Sequence, residues 1–298
     1  MIELAGLTKT FPNGRGVHDI SLKVAEGEAV GFLGPNGAGK TTTIRHLLGF
    51  LRADAGQARI FGKDCFLEAA AIHRQVGYLP GEISLFPGMT AEGFLQLAAG
   101  LRGLRAEQSL RALATRFELD LRQSIQKMSK GTKQKVAILA AFFHDPAVYI
   151  LDEPSSGLDP LMQHAFVDLV QEERARGKTV FLSSHIFSEI DRICDCVAII
   201  KDGRLLRVAG MAELKTGRAH QYRVECASAS EAQAVATAPA PGMTVLHVEG
   251  PVLILRVTDV NAFLRALGMH DVRALASEET QLEESFLAYY GQKEGAPA

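Results

Sequence analysis

Residues 34–41 read Gly34-Pro35-Asn36-Gly37-Ala38-Gly39-Lys40-Thr41, a G-x-x-x-x-G-K-T run, and no other stretch narrows the possible folds as far. It follows a continuous apolar run, Ala29 to Leu33, and precedes a segment of helical character from Lys40 to about Phe50. Glycines at this spacing let the backbone turn tightly and aim its N–H groups inward. The helix that follows adds the partial positive charge of its N-terminus. Such a loop holds phosphate oxygens. Lys40 is placed to reach the β- and γ-phosphates of a nucleoside triphosphate and the Thr41 hydroxyl to ligate Mg²⁺, with Thr42 beside it. The expected fold class is α/β, with the loop at the end of a strand in a parallel sheet.

A second run complements the first. Val148-Tyr149-Ile150-Leu151 has the continuous apolar character of a central strand, and it delivers Asp152 and Glu153 at its C-terminal end. Ligands of open α/β sheets lie at that end. Neighbouring strand residues face opposite ways, so the two carboxylates take different tasks. Asp152 is the candidate for Mg²⁺, and Glu153 the general base that polarises an attacking water. Val180 to Leu182 reads as another buried strand, followed by Ser183, Ser184 and His185. Position alone leaves His185 either a γ-phosphate contact or a satisfied histidine.

Short strands are expected at Ile2–Leu7, Ile20–Val24, Ala58–Phe61, Val76–Leu79 and Val197–Ile200. Helices are expected over Lys133–His144, Leu161–Arg176 and Ile186–Cys194. From Thr90 to about Ala114, Phe94, Leu97, Ala98, Leu101 and Leu104 recur at helical spacing, which predicts a helix there. Met128-Ser129-Lys130-Gly131-Thr132 opens the Lys133 helix. A serine and a glycine there form either a plain cap or an anion-binding helix start.

Length and charge limit the alternatives. The 298 residues suit two domains, and a net charge of −2 offers no basic excess for a phosphate backbone, so no nucleic-acid partner is expected. The longest apolar run, Val136 to Phe143, is less than half of the roughly 20 residues a membrane-spanning helix needs. No secretory signal is expected at the N-terminus. Cys65, Cys194, Cys196 and Cys226 are too scattered for a disulfide framework, and the bare C-x-C of Cys194 and Cys196 is not expected to hold zinc.

Near Lys215-Thr216-Gly217 the character changes from near charge balance to a net acidic segment. Domains are accordingly expected at 1–214 and 215–298. The second reads strand (Gln221–Cys226), helix (Ser230–Thr237), strand (Thr244–Val248), strand (Val252–Val257), helix (Asn261–Leu267), strand (Val272–Ala276) and a last helix (Leu282–Tyr290). That order predicts a small ferredoxin-like α+β unit. It carries no motif; ligand binding, support of a dimer and support of the first domain all stay open.

The order of motifs over residues 1–214 resembles the nucleotide-binding subunits of ATP-binding cassette (ABC) transporters. It runs from the phosphate loop through Gly77-Tyr78-Leu79-Pro80, Ser129-Lys130-Gly131, Leu151-Asp152-Glu153-Pro154 and Ser156-Gly157-Leu158-Asp159 to His185. The resemblance implies a P-loop NTPase cassette with a parallel-sheet core, an antiparallel β subdomain and a helical subdomain at about 82–145. It implies ATP and Mg²⁺ as ligands and ATP hydrolysis as the reaction. Phe11, 29 residues before Lys40, matches the aromatic that stacks on adenine, and Val17 a nearby sugar contact. Ser129 and Gly131 match the signature that grips the γ-phosphate of an opposite subunit, Asp159 the loop residue linking two sites, and His185 the switch histidine. The implied partners are a second cassette, identical or related, and a multi-span membrane permease, with the chain on the cytoplasmic face of the membrane.

Two departures stand out. Gly81, followed by Glu82, replaces the family's usual glutamine and has no side chain to serve as a ligand. Lys130 and Thr132 depart from the usual Leu-Ser-Gly-Gly-Gln. The Gly77-to-Glu82 run, the Ser129-to-Gln134 run and the tail Leu282-Glu283-Glu284-x-Phe286-Leu287 are similar to ATPase subunits of drug- and polyketide-export systems. In that scheme Leu85, Phe86, Pro87 and Met89 meet the permease; otherwise they anchor a loop. Two alternatives remain, a soluble non-transport ABC ATPase and a catalytically weak regulatory cassette.

Overall fold

The computed structural model describes residues 1–105, 107–215 and 220–278. Two strands open the chain, β1 (Ile2–Thr10) and β2 (Gly16–Val24), with β3 (Ala29–Leu33) running into the phosphate loop and α1 (Lys40–Leu47) leaving it. Helix α1 stops short of Phe50 because Gly49 turns the backbone at φ +66°. There follow β4 (Ala55–Ile60), β5 (Lys63–Asp64), α2 (Ala69–His73) and β6 (Val76–Leu79).

The Thr90–Ala114 pattern resolves into α3 (Ala91–Leu101) and α4 (Glu107–Arg116), separated near Gly103, which stands at φ +69°. Ala91, Leu95 and Ala99 form the buried face of α3, while Leu97, Leu101 and Leu104 are exposed. Apolar residues thus occupy both faces of α3. Helix α5 (Lys130–Phe142) starts earlier than expected, because Ser129 caps it by accepting the Thr132 N–H at 3.1 Å. Next come β7 (Val148–Asp152), α6 (Pro160–Ala175), β8 (Thr179–Ser184), α7 (Phe187–Ile193), β9 (Cys196–Lys201) and β10 (Arg204–Gly210). Asp159 caps α6 with Pro160 at its first turn, where a missing N–H costs nothing.

Strands β10-β9-β3-β8-β7-β6 form one sheet, parallel from β9 to β6, with β10 added antiparallel at the edge. Strands β3, β7 and β8 are buried throughout, as a sheet covered on both faces requires. A second sheet, β2-β1-β4-β5, is antiparallel. One core joins the two sheets: Leu4, Leu7, Ile20 and Ile60 from the antiparallel sheet, Ile44 and Leu47 from α1, and Ile150, Phe181 and Ile200 from the parallel one. Helix α1 is thus clamped between sheets, which fixes the loop at its N-terminus.

The chain divides into one compact unit over Met1–Ala212 and another from Glu213. Helix α8 (Met211–Lys215) spans that division. The second unit contains β11 (His220–Cys226), α9 (Ala229–Thr237), β12 (Met243–Glu249), β13 (Val252–Val257), α10 (Val260–Leu267) and β14 (Val272–Glu278). Its antiparallel order β12-β13-β11-β14 places the first and third strands of the βαββαβ run side by side, which is the ferredoxin-like arrangement. Val224, Leu253, Leu255, Phe263 and Leu267 are among its core residues. The expected helix Leu282–Tyr290 and the tail motif lie outside the described residues.

Candidate nucleotide-binding site

The phosphate loop is shaped by close approach. A Cβ on Gly34 would lie 2.4 Å from the Ile200 carbonyl oxygen, and Gly39 stands at φ +108° with Val17 Cγ1 2.8 Å from where its Cβ would be. Only glycine meets both demands. The Ala38 N–H donates to the Pro35 carbonyl at 3.1 Å, tightening the turn. Pro35, Asn36, Gly37, Gly39, Lys40, Thr41 and Thr42 line a recess of about 320 Å³ with half-buried Phe11 at one side. Asn13, Arg15 and Gly16 complete that side and were not anticipated.

Val17 is a correction. It is fully buried beneath Gly39, so it shapes the loop and has no surface left for a sugar. Gly34 and Ala38 also lie buried under the loop and act through the backbone.

Lys40 is 6% exposed, and its ammonium donates to the Gly34 carbonyl at 2.5 Å. It also lies 3.2 Å from Oε1 of Glu153. Oε2 of the same carboxylate lies 2.5 Å from Nδ1 of His185, itself 60% exposed. Glu153 is therefore held from both sides. Its backbone has φ +47°, a left-handed conformation that costs a non-glycine residue about 1 kcal/mol or more. That turn takes the side chain out of the strand alternation and toward the phosphate loop.

Asp152 is 2% exposed and receives the Thr41 hydroxyl at Oδ2 (2.9 Å) and the Ser183 hydroxyl at Oδ1. Thr41 and Asp152 thus present adjacent hard oxygen donors at the mouth of the loop, which fits Mg²⁺, an ion that takes one or two protein ligands beside phosphate oxygens and water. On the far side of this pair lies a second recess of about 350 Å³. Thr41, Arg45, Tyr78, Gly81, Glu82, Asp152, Glu153, Ser156 and His185 contribute to it. A Cβ on Gly81 would stand 3.4 Å from the Asp152 carboxylate, so position 81 lies directly against Asp152. Burial raises the Tyr78 phenol to about 12, with the Asp152 charge adding to the shift. Arg45 and Tyr78 were not singled out from sequence. Their signal was proximity to motifs, Arg45 one helical turn beyond Thr41 and Tyr78 inside the Gly77-to-Pro80 run.

Ser129, Gly131 and Asp159 line neither recess. The Ser129 hydroxyl serves as the α5 cap, and Asp159 accepts the Met162 N–H at 3.0 Å as the α6 cap. Gly131 packs on the loop before α6, where its Cβ would lie 2.5 Å from the Gly157 carbonyl oxygen. Lys130 donates to Ser156 Oγ at 3.1 Å, so the signature segment and the 155–158 loop are in contact within one chain.

Residues 17–156 match the model of the ABC transporter family. The chain is 33% identical to the daunorubicin/doxorubicin resistance ATP-binding protein DrrA of Streptomyces peucetius, over 97% of its own length and 92% of that relative. The chain belongs to the ABC transporter ATP-binding family. An uncharacterized ABC transporter ATP-binding protein of Nostoc sp. is 37% identical over 69% of this chain, and the match spans 62% of that relative's length. Among solved structures, an ATP-binding subunit of an ABC transporter superposes with a TM-score of 0.68 at 34% identity, covering 73% of this chain and 92% of the other. The first compact unit is thus an ABC cassette, with ATP and Mg²⁺ as its ligands and ATP hydrolysis as its chemistry. Among the described residues no helix is long and apolar enough to cross a membrane.

Proposed function

We propose that this chain is the ATP-hydrolysing subunit that drives substrate export through a separate multi-span permease, working on the cytoplasmic face of the membrane. The observation that carries the catalytic part is Glu153, whose carboxylate is shared between Lys40 at 3.2 Å and His185 at 2.5 Å beside the Thr41–Asp152 pair. Lys40 and the loop N–H groups bind the β- and γ-phosphates, and Phe11 stacks on the base. Thr41 and Asp152 hold Mg²⁺, which neutralises charge on the phosphates when bound. Glu153 orients the attacking water and accepts its proton, and His185 keeps Glu153 aimed and reaches the γ-phosphate.

Ser129 and Gly131 lie away from the recess that contains Lys40, a separation that favours completion of each site by a second cassette. Head-to-tail closure of two chains, identical or related, over two ATP molecules follows, with ATP raising dimer affinity by linkage. Asp159 stands at the seam. For the permease, the supporting feature is the apolar rim between the cassette core and α3. Phe86, 57% exposed, faces Phe94 with ring centroids 6.1 Å apart, and Leu85, Pro87 and Met89 flank it. Exposed Phe50 stands edge-on to His73 and Tyr78 close to the second recess, so a partner pressing there reaches the residues around Asp152. A likeness of 30% identity over 98% of this chain to a fluoroquinolones export ATP-binding protein of Mycobacterium tuberculosis supports export as the direction.

The test is co-purification of tagged Glu153→Gln protein with Mg·ATP from gently solubilised native membranes. A stoichiometric multi-span protein supports the export reading. Recovery of ribosomes or only soluble protein overturns it in favour of a non-transport ATPase.

A further inference from the structure

Helix α7 turns an apolar face inward, with Phe187, Ile190 and Ile193 buried, and among them stands an acid, Glu189, only 4% exposed. Burying a carboxyl costs several kcal/mol unless it is hydrogen-bonded, by the general magnitude of about 2–7 kcal/mol for a polar group. Its Oε1 has no hydrogen-bond partner. Burial raises the carboxyl above the ordinary carboxylate range, the Ser155 and Ser184 hydroxyls pull it back, and the nearby Glu153 charge raises it further. An aliphatic side chain would fill this place without that cost, so the acid needs another account.

Its partners supply one. The Ser184 hydroxyl accepts the Ile186 N–H at 2.9 Å and donates to Glu189 Oε2 at 2.9 Å, closing a tight turn with His185 at its tip. Ser155 belongs to the loop that leaves Glu153, and that loop is held on its other flank by the Gln134 amide, which donates to the Pro154 carbonyl at 2.5 Å. The Glu153 N–H donates to the Ser183 carbonyl at 3.0 Å. The turn bearing His185 is therefore tied to the buried carboxyl through Ser184, and to Glu153 through the Ser183 carbonyl.

We infer that Glu189 is a positioning residue for hydrolysis: through the Ser184 hydroxyl it pins the turn that bears His185 and so sets where His185 meets Glu153. The inference rests on the hydrolytic roles proposed above for those two residues. Glu153 is held in a strained conformation, which persists only where surrounding contacts over-determine it. The bond to the Ser183 carbonyl is one such contact, and Glu189 fixes the turn that continues from it.

The full chain carrying Glu189→Ala, Glu189→Gln, Ser184→Ala or Ser184→Ala with Glu189→Ala is assayed for ATP hydrolysis and for Mg·ATP affinity. A misplacement of about 1 Å at a reacting group costs on the order of 100-fold, so Glu189→Ala is expected to lower kcat about 10- to 100-fold. KM and the dissociation constant should stay within about twofold, since no nucleotide contact is removed. Glu189→Gln keeps an acceptor oxygen and the shape, and retains most of kcat. Ser184→Ala reproduces part of the loss, and the double variant is no worse than Glu189→Ala, because the pair acts as one unit.

An unchanged kcat in Glu189→Ala overturns the inference. So does a joint loss of kcat and affinity that Glu189→Gln fails to rescue, which marks a plain folding role. Should Glu189→Ala not fold, Ser184→Ala decides, and wild-type kcat in that variant overturns the inference. Full turnover in Glu153→Gln or His185→Ala would sink the hydrolytic reading itself; loss there with none in the Glu189 and Ser184 variants sinks only the role of Glu189.

Discussion

His185 Nδ1 stands 2.5 Å from one oxygen of Glu153 while the Lys40 ammonium stands 3.2 Å from the other. One carboxylate thus faces both the lysine of the glycine-rich loop and the histidine that follows a neighbouring strand. With the roles proposed for Lys40 and Glu153, this arrangement would tie nucleotide binding to the base: a phosphate drawing Lys40 toward itself would leave Glu153 Oε1 open to water. Lys40→Ala removes the phosphate contact, and a lost charged hydrogen bond costs about 1.5–3 kcal/mol, so ATP affinity should fall roughly 10- to 100-fold. Titration of a fluorescent ATP analogue checks this, and unchanged affinity contradicts the phosphate-loop assignment.

Asp152→Asn keeps the shape and the Thr41 hydrogen bond and removes the charge that favours Mg²⁺. ATP affinity without metal should be little changed, while the strengthening that Mg²⁺ brings is lost. Isothermal titration with and without Mg²⁺ reads the difference directly. Equal strengthening in the variant and the unaltered chain would show that Mg²⁺ is held elsewhere.

Gly131→Ala puts a Cβ 2.5 Å from the Gly157 carbonyl, a backbone atom that moves only if the 155–158 loop moves. Overpacking of this kind costs about 1–3 kcal/mol. The melting temperature should fall by several degrees for a unit of this size, and turnover should fall with it because Ser156 of that loop lines the recess with Glu153. An unchanged melting temperature contradicts the close packing of signature and loop.

His144 gives the stability a pH dependence. Burial, with help from Arg102, lowers its imidazole from 6.5 to about 4, and its Nε2 lies 3.2 Å from the Val76 carbonyl. The folded chain then binds fewer protons than the unfolded chain between those values. The neutral imidazole's contribution is complete above pH 6.5 and declines as pH falls through the window toward about 4. Urea midpoints measured from pH 7 to pH 4.5 should decrease, and His144→Phe should flatten that slope. His46, also lowered chiefly by burial, acts in the same direction.

What the sequence made legible was whatever depends on local backbone chemistry. The loop at Gly34–Thr41, the buried strand leading to Asp152 and the Ser129 cap follow from residue type and spacing, and each lies where that chemistry needs it. What stayed hidden depends on which neighbour lies across a gap. Periodicity shows that α3 is a helix but not which face it buries, because Leu97 and Leu101 share the helical period of the core face, Ala91, Leu95 and Ala99. Val17 looked like a nucleotide contact by position, yet β2 places it under Gly39. Strand β10 was missed because it is a half-exposed edge that follows a Lys201-Asp202-Gly203 turn with no apolar run of its own. Glu189 carries no motif, and only the packed turns above it give it meaning.

The most direct test of the account is phosphate release from Mg·ATP by the unaltered chain and by Glu153→Gln, with ATP affinity measured on the same preparations. General-base catalysis is worth about 10²–10⁴ in rate, so turnover in Glu153→Gln should fall by at least about 100-fold while affinity stays within a few fold. Turnover within about tenfold of the unaltered chain would contradict the role of Glu153 as the group that activates water.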